Sequence, residues 1–301
     1  MEKVEVLLSY YKGNKYLRKL LESLQRQKGN LDLKITLRND GSDSIDEKNL
    51  YGINNIVIIN GQNIGVKRSF FELIRGSEDD ADYFCFCDQD DVWDDDKLES
   101  ALVKLRIYED QPAMYFSKTR LVDENLNYLG QDTFEKGEFS FGRTLIKNNA
   151  VGCTIVFNRK LRDVMKKAIE KYEITTDSLL HDHILYMVCT GIGGEVIYDL
   201  KPHISYRQHS NNAIGNRENL LEKLISNGLF NKDNVRLRWA EELYSNFANV
   251  LTEENRLFLL QVLNYKKNLR NRWKLMITSE FQVQSFFERI NIVMLLIFGK
   301  F

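Results

Sequence analysis

The chain has 301 residues, 43% of them hydrophobic, enough for one sizeable domain with an appendage or for two small domains. Its 42 basic and 43 acidic residues nearly cancel, so the overall field gives no reason to expect nucleic acid as a partner. The four cysteines, Cys85, Cys87, Cys153 and Cys189, are too few and too scattered for a disulfide framework and lack the paired spacing of a zinc site; buried reduced thiols are expected.

Residues 1–8 lack the basic start and long apolar stretch of a secretory leader, which sets the expectation of a cytoplasmic protein. Over the first hundred residues strand-like and helix-like patterns alternate, the signature of an α/β sheet built from crossover units. Residues 4–9 read as a buried strand. Tyr16, Leu17, Leu20, Leu21 and Leu24 then recur at helical spacing behind a Gly13-Asn14 turn and cap. Residues 33–37, 55–59 and 83–87 predict three more strands, and residues 66–74 a helix entered through Gly61-Gln62-Asn63-Ile64-Gly65. Residues 94–108 predict a helix capped by aspartates, which suit the positive end of its dipole. From 113 to 207 the pattern is mixed, with strands at 114–121, 153–157, 195–198 and 203–207 around helices at 160–171 and 181–190. This reads as the same sheet continued with added strands. Beyond Gly215 the pattern is almost wholly helical, at 220–224, 235–247, 253–263 and 281–298, so a boundary is expected between residues 1–216 and a helical extension, 217–301.

One cluster stands out. Asp88-Gln89-Asp90-Asp91 follows the apolar run Tyr83-Phe84-Cys85-Phe86-Cys87 directly, so its carboxylates emerge together at the carboxyl end of a strand, where open α/β sheets bind ligands. Three like charges this close repel one another. A hard divalent cation, Mg2+ or Mn2+, relieves that repulsion and leaves room for phosphate oxygens and water. The bland reading, an acidic turn capping the next helix, suits Asp94, Asp95 and Asp96 better.

Several segments occur in a telling order: Leu7-Leu8-Ser9-Tyr10-Tyr11, Arg38-Asn39-Asp40-Gly41-Ser42, Gly61-Gln62-Asn63-Ile64-Gly65 and Cys87-Asp88-Gln89-Asp90-Asp91-Val92-Trp93. Asn148-Asn149-Ala150-Val151-Gly152-Cys153-Thr154, His181-Asp182 and Tyr206-Arg207-Gln208-His209-Ser210-Asn211-Asn212 follow. Together they resemble the successive signatures of glycosyltransferase family 2, and within it bacterial rhamnosyltransferases of cell-wall and capsule polysaccharide assembly. The resemblance covers about the first 216 residues. It implies the GT-A fold, a Rossmann-like, mostly parallel mixed sheet flanked by helices, with a nucleotide-sugar half over about 1–110 and an acceptor half over about 111–216.

The resemblance implies a role for each motif. Asp88 would contact the nucleotide sugar, Asp90 would ligate the metal together with Asp88, and Asp91 would support them, because the departing nucleoside diphosphate needs its charge neutralised. Asp40 would read the pyrimidine ring; an Asp-Gly pair is also a common tight turn. Ser9 and Tyr10 would line the nucleotide pocket, with Asn63, Gly65 and Gln89 around the donor. Lys67 and Arg68 are read either as phosphate contacts or as a solvated helix face. Asp182 would be the catalytic base that takes the proton from the acceptor hydroxyl, with inversion at the anomeric carbon. Arg207 and His209 would lie over the diphosphate, His209 completing the metal shell or donating to phosphate. Gly152, Cys153 and Thr154 would form part of the acceptor wall with His181. His183 is read as touching the acceptor pocket or packing, and Trp93 as a sugar platform or a core aromatic.

The partners that follow are a dTDP- or UDP-sugar donor, with rhamnose leading, and a saccharide or lipid-linked oligosaccharide acceptor. Between Asn255 and Ser279 no acidic residue occurs, whereas Arg256, Lys266, Lys267, Arg270, Arg272 and Lys274 accompany Trp273, Leu275 and Ile277. This basic amphipathic stretch suits either peripheral attachment to an anionic bilayer, at the inner face of a membrane, or a bundle packed on the catalytic domain or a homodimer interface. Two other functions compete. A nucleotidyltransferase would need a basic glycine-rich loop near the first strand, for which Lys12-Gly13-Asn14-Lys15 is a poor match; a non-catalytic binding module would not need Asp88, Asp90 and Asp182. No Gly-x-Gly-x-x-Gly follows the first strand, which disfavours a nicotinamide enzyme.

Overall fold

The structure, a computed structural model, describes residues 1–42, 44–132, 139–173, 178–208, 235–281, 283 and 286–301. Its main sheet has seven strands. Strand β1 (Glu2–Tyr10) lies beside β2 (Leu31–Asp40), which lies beside β3 (Ile56–Gly61), all parallel. The chain then returns to the other side of β1 as β4 (Tyr83–Asp88), also parallel. The strand order therefore reverses between β1 and β4, the kind of crevice where doubly wound sheets take their ligands. Register sets Ser9 opposite both Arg38 and Asp88, so three of the singled-out segments share one edge.

Beyond β4 the sheet continues through β9 (Val156–Asn158), antiparallel to both neighbours, then β6 (Ala113–Ser117) and β10 (Glu195–Asp199). Side chains alternate across it as a two-residue period demands. Val4, Val6, Leu8 and Tyr10 of β1, with Tyr83, Cys85 and Cys87 of β4, join α1 (Asn14–Gln25) and α3 (Lys97–Leu105) in one core. Leu7, Phe84 and Phe86 face the other core, with α2 (Val66–Gly76), α5 (Arg159–Ile169) and α6 (His181–Gly191). All four cysteines are buried and unpaired.

The expectation of a single continued sheet needs correction. Strands β5 (Val92–Trp93), β7 (Arg120–Val122), β8 (Tyr128–Gln131) and β11 (Ile204–Arg207) form a second, four-stranded sheet in the order β5-β11-β7-β8. The run at 114–121 is thus two strands, one in each sheet, and residues 203–207 leave the main sheet to pair antiparallel with the two residues that follow the acidic cluster. The capping aspartates also do something else. α3 begins at Lys97 and its N-cap Asp96 makes no side-chain cap bond; Asp94 instead takes a two-pronged contact from Arg120, and Asp96 meets Lys201 and His203. These carboxylates tie the second sheet to the start of α3.

The last four helices, Val235–Phe247, Glu253–Leu263, Leu269–Ile277 and Phe286–Ile297, are not a separate body. Leu243, Phe247, Leu259, Val262 and Leu295 belong to the same apolar cluster as Phe70, Phe86 and Phe157. A buried ion pair, Lys67 to Glu242 at 3.1 Å, and a short contact from Tyr172 to the same carboxylate reinforce the junction. The expected boundary at 216/217 and the helix at 220–224 lie outside the described residues.

Candidate active site

The apolar strand β4 delivers Asp88 to the carboxyl edge, and Gln89, Asp90 and Asp91 turn from it into β5. Asp91 is fully buried; Asp88 and Asp90 are partly exposed. Burial, and then the charges of Asp90 and Asp182, push the Asp88 carboxyl up to about 7. Burial followed by Asp90 and Asp88 holds Asp91 well above the usual carboxylate range. The charge of Asp182 thus acts on Asp88 although the two come from different elements.

Asp182 sits in the first turn of α6, where the helix dipole favours a carboxylate. It is buried, and burial raises its carboxyl to about 6. Four groups oppose that rise: the His183 N–H, donating to Oδ1 at 2.7 Å, the Asn148 side chain, the Gly152 N–H, donating to Oδ2 at 3.2 Å, and the backbone N–H of Asp182 itself. Gly152 permits this approach, since a Cβ there would stand 3.3 Å from His181 Nε2 and 3.4 Å from Asp182 Cβ. Gly152, Cys153 and Thr154 form a single 3-10 turn rather than the start of a strand.

That turn also carries Cys153 to the acids. One donor atom each from Asp88, Asp91 and Cys153 lies within 4.8 Å of the other two. Burial, then Asp91 and Asp88, keep the Cys153 thiol well above its ordinary range and therefore neutral. A hard divalent cation fits such a donor set through the two carboxylates, with the thiol a poor ligand beside them. The expected metal ligands were Asp90, Asp88 and His209; among the described residues the cluster with metal-ligand spacing is Asp88, Asp91 and Cys153.

Several residues expected around the donor prove to be occupied elsewhere. The Gln89 amide is consumed by the backbone of Tyr11, accepting its N–H at 2.7 Å and donating to its carbonyl at 2.8 Å, which locks the loop after β1 to the acidic turn. Arg207 does not lie open to phosphate: its Nε donates to the Asp90 carbonyl at 2.7 Å, its backbone N–H to Asp91 Oδ1 at 3.1 Å, and its guanidinium covers the Tyr16 ring. Its work is to hold the acidic turn against β11. Asp40 is buried, contacts Arg38, and accepts the N–H groups of Ile64 and Gly65 at 3.0 Å each. It therefore shapes the 61–65 loop. Gly41 completes that contact, with φ +79 and a would-be Cβ 2.4 Å from the Asn63 nitrogen. Lys67 is spent on Glu242, whereas Arg68, Asn63 and Gly65 remain exposed. Ser9 Oγ meets Ser69 Oγ at 2.7 Å, and Tyr10 points into the core.

The acceptor set narrows as well. His181 stacks on Phe70 at 3.8 Å and meets Phe86 edge-on; burial lowers its ring to about 3, so it is neutral packing. His183 donates from Nε2 to the Thr144 carbonyl at 2.7 Å, stands against Trp239, and is lowered by burial to about 4. The Thr154 hydroxyl donates to the Val151 carbonyl. Trp93 is not a sugar platform: it is buried in β5 with Lys97 Nζ 3.3 Å over its ring. Trp93→Ala is accordingly expected to destabilise the fold by about 3–5 kcal/mol, measured by chemical denaturation, with Trp93→Phe recovering much of that loss. An unchanged midpoint for the alanine variant would contradict this placement.

His209 lies outside the described residues. Residues that sequence reasoning gave no separate role also reach the site: Asn148 at the Asp182 carboxylate, and Tyr206, whose hydroxyl is pushed up by burial, then by Cys153, Asp88 and Asp91. Both stand inside quoted motifs, which was the available signal. A cavity of about 340 Å³ lined by Lys3, Asp32 and Asn55 belongs to the opposite, amino-terminal edge.

A mostly parallel α/β sheet with an acidic turn at its switch point and a buried carboxylate on a neighbouring helix is the layout of a ligand-binding α/β protein. Residues 5–167 match the family model "Glycosyl transferase family 2", and the chain belongs to that family. It is 28% identical over 200 residues to the dTDP-rhamnosyl transferase RfbG of Shigella flexneri, a match spanning 64% of this chain and 64% of that protein. The fold is similar to that of S. aureus TarS residues 1–349. The crystal structure in complex with UDP-GlcNAc gives a TM-score of 0.58 at 16% identity, over 99% of this chain and 81% of that one. Without ligand the same fragment gives 0.55 at 15%, over 97% and 81%.

Proposed function

We propose that this chain is an inverting, metal-dependent glycosyltransferase that moves rhamnose from dTDP-rhamnose to a saccharide or lipid-linked acceptor in surface polysaccharide assembly. The observation that carries the reading is the Gly152–Thr154 turn, whose Gly152 N–H donates to the buried Asp182 at 3.2 Å while the next residue, Cys153, stands with Asp88 and Asp91 at the sheet's switch point; burial raises the Asp182 carboxyl to about 6. A base with that affinity is ionised at neutral pH yet basic enough to accept a proton from a hydroxyl in flight. Family membership supports the reaction class, and the printed activity of the Shigella relative supports the sugar.

In this reading Asp182, steadied by the Gly152 and His183 N–H groups, takes the acceptor's proton. The acceptor oxygen attacks the anomeric carbon from the face opposite the diphosphate, whose bond to that carbon breaks. Asp88 and Asp91 would hold a Mg2+ or Mn2+ ion; when bound, it neutralises charge on the departing diphosphate. Arg207 and Gln89 keep the acidic turn in place, and Asp40 presents the 61–65 loop to the nucleotide.

The test is release of nucleoside diphosphate from a panel that includes dTDP-rhamnose and UDP-GlcNAc, with Mn2+, with Mg2+ and with chelator. dTDP-rhamnose is expected to turn over fastest and only with metal. Preference for a UDP-sugar would replace the donor. Hydrolysis of none, with triphosphate consumed instead, would favour a nucleotidyltransferase.

A further inference from the structure

The helices Leu269–Ile277 and Phe286–Ile297 run antiparallel. Arg272 Nη1 donates to the Ile297 carbonyl at 3.2 Å, and Arg289 Nη2 donates to the Met276 carbonyl at 3.4 Å. One side of the pair is spent on the protein core, where Leu275, Ile292, Leu295 and Leu296 are buried. Among the described residues the other side is bare. Leu269, Trp273 and Ile277, at i, i+4 and i+8 of one face, are 77%, 62% and 63% exposed, and Phe286 and Phe287 are 73% and 78% exposed. An isolated exposed apolar residue is ordinary, but large side chains repeated on one helical stripe and continued on the neighbouring helix are not.

Among the described residues the charges flanking this stripe have one sign. Lys266, Lys267, Arg270 and Lys274 are all exposed, and Arg270 and Lys274 each follow a member of the stripe by one residue. Of the nearby carboxylates, Glu280 accepts the Gly142 N–H at 2.9 Å, and the charge of Glu288 acts on the half-buried Arg236. Large apolar rings fringed by unopposed cations match an anionic bilayer, where rings enter the headgroup boundary and lysines meet lipid phosphates. A second copy of the chain would bring the same positive fringe against its like. No helix among the described residues is long and apolar enough to cross a membrane, so the contact is one of lying on the surface.

We infer that this helical pair docks the enzyme flat on an anionic lipid surface through Leu269, Trp273, Ile277, Phe286 and Phe287, with Lys266, Lys267, Arg270 and Lys274 on the headgroups. The inference deepens the proposed lipid-linked acceptor but does not depend on the donor chemistry. The test is sedimentation of the full chain with phosphatidylglycerol–phosphatidylcholine vesicles against phosphatidylcholine alone, alongside donor hydrolysis without vesicles. Binding is expected to favour the anionic vesicles by about tenfold or more and to weaken with salt. Lys266→Gln, Lys267→Gln, Arg270→Gln and Lys274→Gln together should erase the preference. Trp273→Ser with Phe287→Ser should weaken binding while basal hydrolysis stays unchanged. A blue shift of tryptophan emission on vesicle addition, absent in Trp273→Phe, would place that ring in lipid. Equal sedimentation with neutral and anionic vesicles, or none with either, overturns the inference. So does a concentration-dependent dimer abolished by the serine variants, which would make a second copy the occupant.

Discussion

Asp182→Asn is expected to slow sugar transfer by about 10²–10⁴-fold, the range for loss of a positioned general base, while donor affinity changes little. The amide is nearly the size of the carboxylate but has one acceptor oxygen, so of the His183 N–H, which donates to Oδ1, and the Gly152 N–H, which donates to Oδ2, only one keeps its partner; the turn is expected to loosen without being lost. What disappears is the proton acceptor. In the unaltered protein kcat/KM should fall as pH drops through about 6, the value to which burial raises this carboxyl, because the protonated form cannot accept a second proton. The variant should lose that limb. Diphosphate release measured from pH 5 to pH 8, with calorimetric titration of the donor, checks both halves. A variant with the rate and pH profile of the parent would remove Asp182 from the chemistry.

The second large effect is expected at Asp88, and it has opposite signs for binding and stability. Asp88→Asn removes a carboxylate from the proposed cation site and should weaken metal-dependent binding of nucleoside diphosphate by about 10²-fold. The same change should stabilise the ligand-free protein. Burial, Asp90 and Asp182 raise the Asp88 carboxyl to about 7, above its unfolded value, so the folded state holds this proton more tightly. The associated stability is complete at low pH and is lost between roughly pH 4 and 7. Asparagine never ionises and escapes that loss. The variant's melting midpoint should therefore match the parent near pH 4 and exceed it at pH 7.5, with saturating Mn2+ narrowing the gap by stabilising the parent. Coincident melting curves at both pH values would mean that these carboxylates do not strain one another.

The core of the fold was legible because it is written in local patterns. The short buried run in β1 and the apolar run before Asp88 place both strands, and the predicted helix at 235–247 coincides with Val235–Phe247. The second sheet was not legible. β5 has two residues and β8 lacks a buried face, and neither carries a periodic signal; their partners are set by distant pairings such as Trp93 with Ile204. The site shows the same division. Motif order brought Asp88 and Asp182 forward, but the direction in which a side chain points depends on tertiary neighbours. Gln89, Arg207 and Asp40 carry recognition chemistry by type, yet each spends its hydrogen bonds on backbone of the site itself. Cys153 reaches the acids because its turn is 3-10 and not extended, a difference of backbone dihedrals that residue identity does not announce.

The apolar cluster that the terminal helices share with the sheet has a consequence for modularity. Severing the chain after β11 would strip Leu243, Phe247, Leu259 and Val262 from Phe70, Phe86 and Phe157 and leave Lys67 without Glu242. Heating should thus give a single calorimetric transition in place of two, and a chimera that borrows its tail from another transferase would have to import the matching surface of α2 and α6 along with it.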